Sequence, residues 1–323
     1  MEYQAELRHD GFSTEGAEPM SLLRPDPTFY PSPRMAMQSP PEKLAYVALI
    51  NPKHSGAADA IGVVDLDRDS KSYGRLVGQT DMPHEGDELH HFGWNACSSC
   101  LCPYAPHPHM ERRYLIVPGI NSSRIHILDA KSDARKPKIV RVIEADEVAE
   151  RAGYAAPHTV HCGPEGVYVS ALGAPDGNGP GGTFMLDPET FDILGPWEID
   201  RGPQSLAYDL WWHLGQDTMV TSTWGTPNMV KDGVNPELLL SGKYGNKLHV
   251  WDLDDAGTCR SWISGRNSRW HSNCDRLMTQ HARTGSSVSS SPSRISHRRS
   301  GCGTVDRAVV SRTEQMVGGH SRR

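Results

Sequence analysis

IGVVDLD, residues 61–67, is an apolar run that ends in an aspartate and a polar turn. The same shape returns as IHILDAK at 125–131, TFMLDPE at 183–189 and LHVWDLD at 248–254. The closing aspartates are Asp65, Asp129, Asp187 and Asp252, spaced 64, 58 and 65 residues apart. Four returns of a β-type run at nearly one period describe the blades of a β-propeller, each a four-stranded antiparallel sheet. One blade cannot bury both of its faces, so it must stack on its neighbours. The aspartate suits the turn, where its carboxylate can accept backbone N–H groups. Further strands fit between the repeats: KLAYVALI (43–50), RRYLIVPG (112–119), EGVYVSAL (165–172), LAYDLWWH (206–213) and DTMVTSTW (217–224). A sandwich with coincidental spacing is the plainer alternative.

Composition agrees with an all-β globular chain. Its 323 residues are long enough for a sizeable core, and 31 glycines and 24 prolines supply many turns. Mean hydropathy is −0.54. No run of 18 apolar residues occurs, so no membrane span is expected. The N-terminus has no basic start followed by an apolar stretch, so the expected location is cytoplasmic. There, seven cysteines read as thiols, metal ligands or redox groups rather than a disulfide framework. Residues 266–323 hold eleven Arg, no Lys and three acids, a formal +8 that leaves −14 of the chain's −6 on residues 1–265. A body so acidic is expected to bind no nucleic acid.

Both ends depart from the pattern. Residues 1–40 read as an extension and lead-in, with 1–19 an upstream addition before the ordinary start at Met20. The propeller part is expected over 41–265. Residues 266–323 are rich in Ser and Arg and poor in apolar residues, so disorder is expected there. The abrupt switch from Lys to Arg reads as a change of reading frame, with an RNA-binding or anion-binding Arg/Ser tail as the alternative.

Two clusters carry potential chemistry. DELHHFGWNACSSCLC (87–102) holds His90, His91, Trp94, Cys97, Cys100 and Cys102. Neighbours on an extended strand point to opposite faces, so only one of His90 and His91 should reach a central channel unless they lie in a loop. Cys97 and Cys100 form a C-x-x-C, which permits a redox pair, half a metal site or an activated thiolate. HTVHC (158–162) supplies His158 and His161, which could reach one ion from a turn; two hydrogen-bonded histidines in a turn are the alternative. Trp94, Trp211, Trp212, Trp224 and Trp251 read as blade packing, with Trp94 a candidate pocket wall. GNGPGG (177–182) lacks G-K-[ST] and precedes a strand, so it is a hairpin connection and no nucleotide is implied.

Taken together, DELHHFGWNACSSC, HTVHCGPEGVYVSALG, GNGPGGTFMLDPETF, YDLWWH and GNKLHVWDL resemble the selenium-binding protein family, from about Pro41 to Trp251. The resemblance implies a seven-bladed propeller about twice this length, present here only in part. It implies a methanethiol oxidase, converting methanethiol, O₂ and water to formaldehyde, hydrogen sulfide and hydrogen peroxide, with copper as cofactor. His90, His91, His158 and His161 are then the candidate metal ligands, and Cys97 and Cys100 the candidate redox thiols. The remaining ligands are expected from blades beyond this chain, which leaves the site incomplete. Selenium is a second possible cofactor, but Gly74 stands where the animal members' selenium-associated cysteine would fall, which argues against attachment there. A non-catalytic propeller that carries selenium or a partner, or an inactive fragment, is the alternative function.

Overall fold

The computed structural model describes residues 37–38, 40–52, 55–96, 109–163, 165–213, 217–253, 256–263 and 271–272. They form four antiparallel sheets, each a meander of sequential strands. The first joins β1 (Leu44–Leu49), β2 (Ala58–Asp65) and β3 (Leu76–Glu85). The second runs β4 (Gly93–Trp94), β5 (Tyr114–Pro118), β6 (Ile125–Asp129) and β7 (Lys138–Ile143). The third runs β8 (Ala155–Cys162), β9 (Val167–Gly173), β10 (Gly182–Leu186) and β11 (Ile193–Pro196). The fourth holds β12 (Leu210–His213), β13 (Thr218–Ser222), β14 (Lys247–Asp252), β15 (Gly257–Ile263) and β16 (His271–Ser272). Three helices lie between strands: α1 (Ala145–Ala152), α2 (Pro227–Val230) and α3 (Pro236–Leu240).

Strand alternation explains how the sheets stack. Ile116 and Ile127 of the second sheet point one way and share a core with Val167, Val169 and Phe184 of the third. Leu115, Val117 and Leu128, next to them in sequence, point the other way and meet Ile61 and Met82 of the first. In the third sheet Tyr168, between Val167 and Val169, turns toward Met219 and Trp251 of the fourth. A middle sheet therefore feeds two cores, the radial stacking of propeller blades. The architecture is all-β and propeller-like, as the repeat implied.

The repeated aspartates do what their turns require. Asp65 Oδ1 accepts the Asp67 amide at 2.9 Å, Asp129 Oδ1 the Lys131 amide at 2.9 Å, and Asp187 Oδ1 the Glu189 amide at 2.9 Å. Arg113 adds a two-pronged ion pair to Asp129, at 2.9 and 2.6 Å, which holds that carboxyl down at about 2. Residues 177–181 lie in the connection between the antiparallel pair β9 and β10, as expected of a hairpin.

One boundary differs from expectation. β16 pairs with β15 through Arg260 with Ser272 and Ser261 with His271, so sheet pairing passes the limit expected at 265. A two-residue strand has no periodicity to read. The described residues all belong to a compact unit ending at Arg276; the unit from Leu277 to Arg323 lies outside them, as do residues 1–36, so the expected extension and tail are not addressed by the structure.

Candidate metal centre

Two backbone segments at the inner ends of adjacent sheets bring three imidazoles together. Just ahead of β4, residues 89–92 run beside Pro118–Gly119: Leu89 bridges to Gly119, and the His90 amide donates to Pro118 O at 2.9 Å. The same segment is tied at its root by buried carboxylates. Asp59 Oδ2 accepts the Leu89 amide at 3.2 Å, and Asp87 Oδ1 pairs with Arg124 at 3.2 Å. The second segment is β8, whose register shifts between Pro157 and Val160, at His158 and Thr159. A bulge at this point re-aims side chains. Both segments carry a non-glycine residue in the left-handed region, Glu88 at φ +52 and Ala156 at φ +56. Such conformations persist where surrounding contacts over-determine them.

The two segments are in direct contact. The Val160 amide donates to His91 O at 3.1 Å. Gly93 makes this approach possible, because a Cβ there would stand 2.5 Å from Val160 O. One ligand nitrogen from each of His90, His91 and His158 falls within 4.8 Å of the other two. Ring centroids are 4.9 Å apart for His90 and His158, 4.2 Å for His91 and His158, and 5.5 Å for His90 and His91. Both neighbours reach the cluster because they lie in a loop and not on a strand.

The chemistry of the three rings favours a metal ion. Thr159 Oγ1 lies 2.9 Å from His158 Nδ1 and 3.3 Å from His91 Nδ1. A hydroxyl oxygen can accept from both rings, which leaves both Nε2 lone pairs available. His158 Nε2 and His90 Nδ1 are buried with no hydrogen-bond partner. Buried donors and acceptors are rarely left so, and a metal ion would satisfy them. Burial, reinforced by the charges His91 and His90 would carry, pushes the His158 imidazole down to about 2, so it is neutral and a ligand at neutral pH. Burial and His91 also lower His90, against the opposing pull of Glu88. Three imidazole nitrogens suit copper, and also zinc, iron or nickel.

A cavity of about 350 Å³ opens beside the cluster. Glu88, His90 and His158 stand on its polar side, and Tyr208, Trp224 and Val230 on its apolar side. Glu88 Oε1 is 3.5 Å from His90 Nε2, and its Oε2 accepts from Asn121 Nδ2 at 2.6 Å. Tyr208, just ahead of β12, lies over His158 with ring centroids 4.2 Å apart.

Of the four histidines expected to bind metal, His161 is not brought into this group. It stands an odd number of strand positions from His158 and faces the fourth sheet, its ring edge-on to Trp211 at 5.0 Å. Its Nδ1 is 3.0 Å from Cys162 O. Cys97, Cys100 and Cys102 lie outside the described residues. Cys162 is described, and it is a buried free thiol. Trp94 does not line the histidine cavity; it packs against Tyr46 at 5.8 Å and under Arg112 at 5.4 Å. Gly74 sits in the β2–β3 turn at φ +72, outside the cluster. Thr159, Glu88 and Tyr208 were not foreseen. Thr159 sits inside H-T-V-H, yet nothing in that motif shows that one hydroxyl meets two rings.

Comparison with known proteins places the chain among relatives. The family described as 56kDa selenium binding protein (SBP56) matches residues 23–269. A Rattus norvegicus protein named methanethiol oxidase is 41% identical over 226 residues, 69% of this chain and 47% of that protein. Selenium-binding protein 2 of Mus musculus is 40% identical over the same shares. The solved structure of a hypothetical selenium-binding protein from Sulfolobus tokodaii superposes with a TM-score of 0.71 at 52% identity, covering 76% of this chain and 53% of that one. The chain thus spans about half the length of the relatives it matches. Among the described residues no helix is long and apolar enough to cross a membrane.

Proposed function

The chain belongs to the 56 kDa selenium-binding protein family, and from that premise we propose that it oxidises a small thiol at a copper ion held by His90, His91 and His158. The reaction is that of a methanethiol oxidase: methanethiol, O₂ and water give formaldehyde, hydrogen sulfide and hydrogen peroxide. The observation that carries the reading is the convergence of three imidazole nitrogens within 4.8 Å beside a cavity. Relatives named methanethiol oxidase supply the reaction class.

The chain's own residues have distinct parts in this reading. His90, His91 and His158 offer imidazole nitrogen ligands, and Thr159 sets the orientation of two of them. Three ligands leave open the positions a substrate needs. Tyr208 and Trp224 exclude water and receive the organic group of the thiol. Glu88, on the cavity wall, is the carboxylate that takes the thiol proton at Oε1. The chemistry copper supplies when bound is stabilisation of the thiolate and passage of electrons to O₂. Cys97 and Cys100, shortly after Trp94 in sequence, are the proposed redox thiols of the reaction.

The test is to purify the full chain, load it with Cu(II), and follow methanethiol loss and hydrogen peroxide formation together. Equal amounts of the two, at a rate below that of the longer relatives, support the reading. Absence of both in copper-loaded protein contradicts it.

A further inference from the structure

The cavity is larger and more apolar than methanethiol requires. Methanethiol has two non-hydrogen atoms and occupies roughly 60 Å³ at about 30 Å³ per water-sized atom, whereas the cavity measures about 350 Å³. Glu88, Asn121, Ser123 and Lys231 add polar groups to part of its wall, while Tyr208, Trp224, Val230 and Val234 give it a hydrocarbon and aromatic side. Water against that side finds few partners, and apolar groups replace it favourably.

The wall is preformed. Trp224 stacks on Tyr244 at 4.9 Å, and Tyr208 lies against Trp224 at 6.1 Å. The Tyr244 hydroxyl donates to Met229 O at 2.8 Å and accepts the Asn235 amide at 2.9 Å. One buried phenol therefore pins both ends of the segment that carries Val230 and Val234. The Asn235 side chain caps α3 by accepting the Glu237 and Leu238 amides, which holds that helical turn in place.

We propose that the thiols this site takes best carry a hydrocarbon group of about four to seven carbons, with sulfur toward His90 and His158 and the organic group against Tyr208, Trp224 and Val230. This rests on the thiol-oxidase reading and extends its substrate class. The reaction keeps the same balance: the carbon bearing sulfur is oxidised by two electrons to an aldehyde, sulfur leaves as hydrogen sulfide, water supplies the carbonyl oxygen, and O₂ is reduced to hydrogen peroxide.

The test uses the full chain and a series of straight-chain thiols from methanethiol to hexanethiol. Anaerobic calorimetry on copper-loaded protein reads affinity, and aerobic peroxide formation reads turnover. Each added methylene is worth a factor of about four in affinity until the cavity is filled, so pentanethiol should bind on the order of a hundredfold more tightly than methanethiol. Val234→Trp narrows the cavity at a half-exposed position; it should weaken pentanethiol at least tenfold more than methanethiol. Affinity that stays flat or falls with chain length in the wild type overturns the proposal, as does a Val234→Trp variant that weakens both thiols equally. Length-dependent binding without oxidation of any thiol overturns the oxidase reading and leaves the cavity assignment standing.

Discussion

Thr159 meets two imidazoles at once, and that makes it the most informative single residue near the site. Thr159→Val keeps the shape of the side chain and removes the hydroxyl. Loss of such an outer partner typically costs 10–100-fold in metal affinity, so a drop of that size in calorimetric copper affinity is expected, with little change in thermal midpoint. A titratable residue away from the histidine cluster tests the fold and not the site. His249 on β14 is buried, and burial, helped by the Lys247 charge, lowers it to about 4. Its folded value lies below the ordinary 6.5, so between those values the unfolded chain binds the proton and the folded chain does not. Its contribution to stability is therefore whole above about pH 6.5 and is lost as pH falls toward 4. Urea unfolding of the copper-free chain should weaken by up to about 1.4 kcal/mol per pH unit in that window on account of this one ring, and His249→Gln should flatten the dependence by that amount. At this scale the sequence was legible in part. His90, His91 and His158 stood out by residue type, but the exclusion of His161 depends on which way a bulged strand turns, and the parts of Thr159 and Tyr208 depend on contacts between separate sheets.

At the scale of elements, the inner strands decide whether the site exists. β4 and β8 approach so closely that Gly93 has no room for a side chain. Gly93→Ala should push them apart, lowering stability by about 1–3 kcal/mol as overpacking does and weakening copper binding in step, read by thermal unfolding and metal titration of the same preparation. The strands themselves were readable because each repeat is an apolar run closed by an aspartate, and three of those aspartates cap their turns as the chemistry of the residue requires. The irregular pieces were not readable. The loop that lets both His90 and His91 face one way, the shift of register at His158 and the two-residue β16 leave no period in the sequence.

At the scale of the whole molecule, the described residues form three cores between four sheets. The fourth sheet presents Trp211 and Leu248, 51% and 42% exposed, with Val220 paired to Trp211 and Val250 paired to Val220. An apolar face of this kind favours association. Trp211→Lys with Leu248→Lys should shift the chain toward monomer in sedimentation at equal concentration. The repeat made the stacking legible, since a blade must bury both faces. The central claim, however, is local: imidazoles from the loop before β4 and from β8 form one copper site, and His161 is outside it. Copper per chain, measured by elemental analysis after loading and desalting, tests that most directly. The account predicts about one copper in the wild type and in His161→Ala and a loss in His158→Ala; copper retained in His158→Ala, or lost in His161→Ala alone, would contradict it.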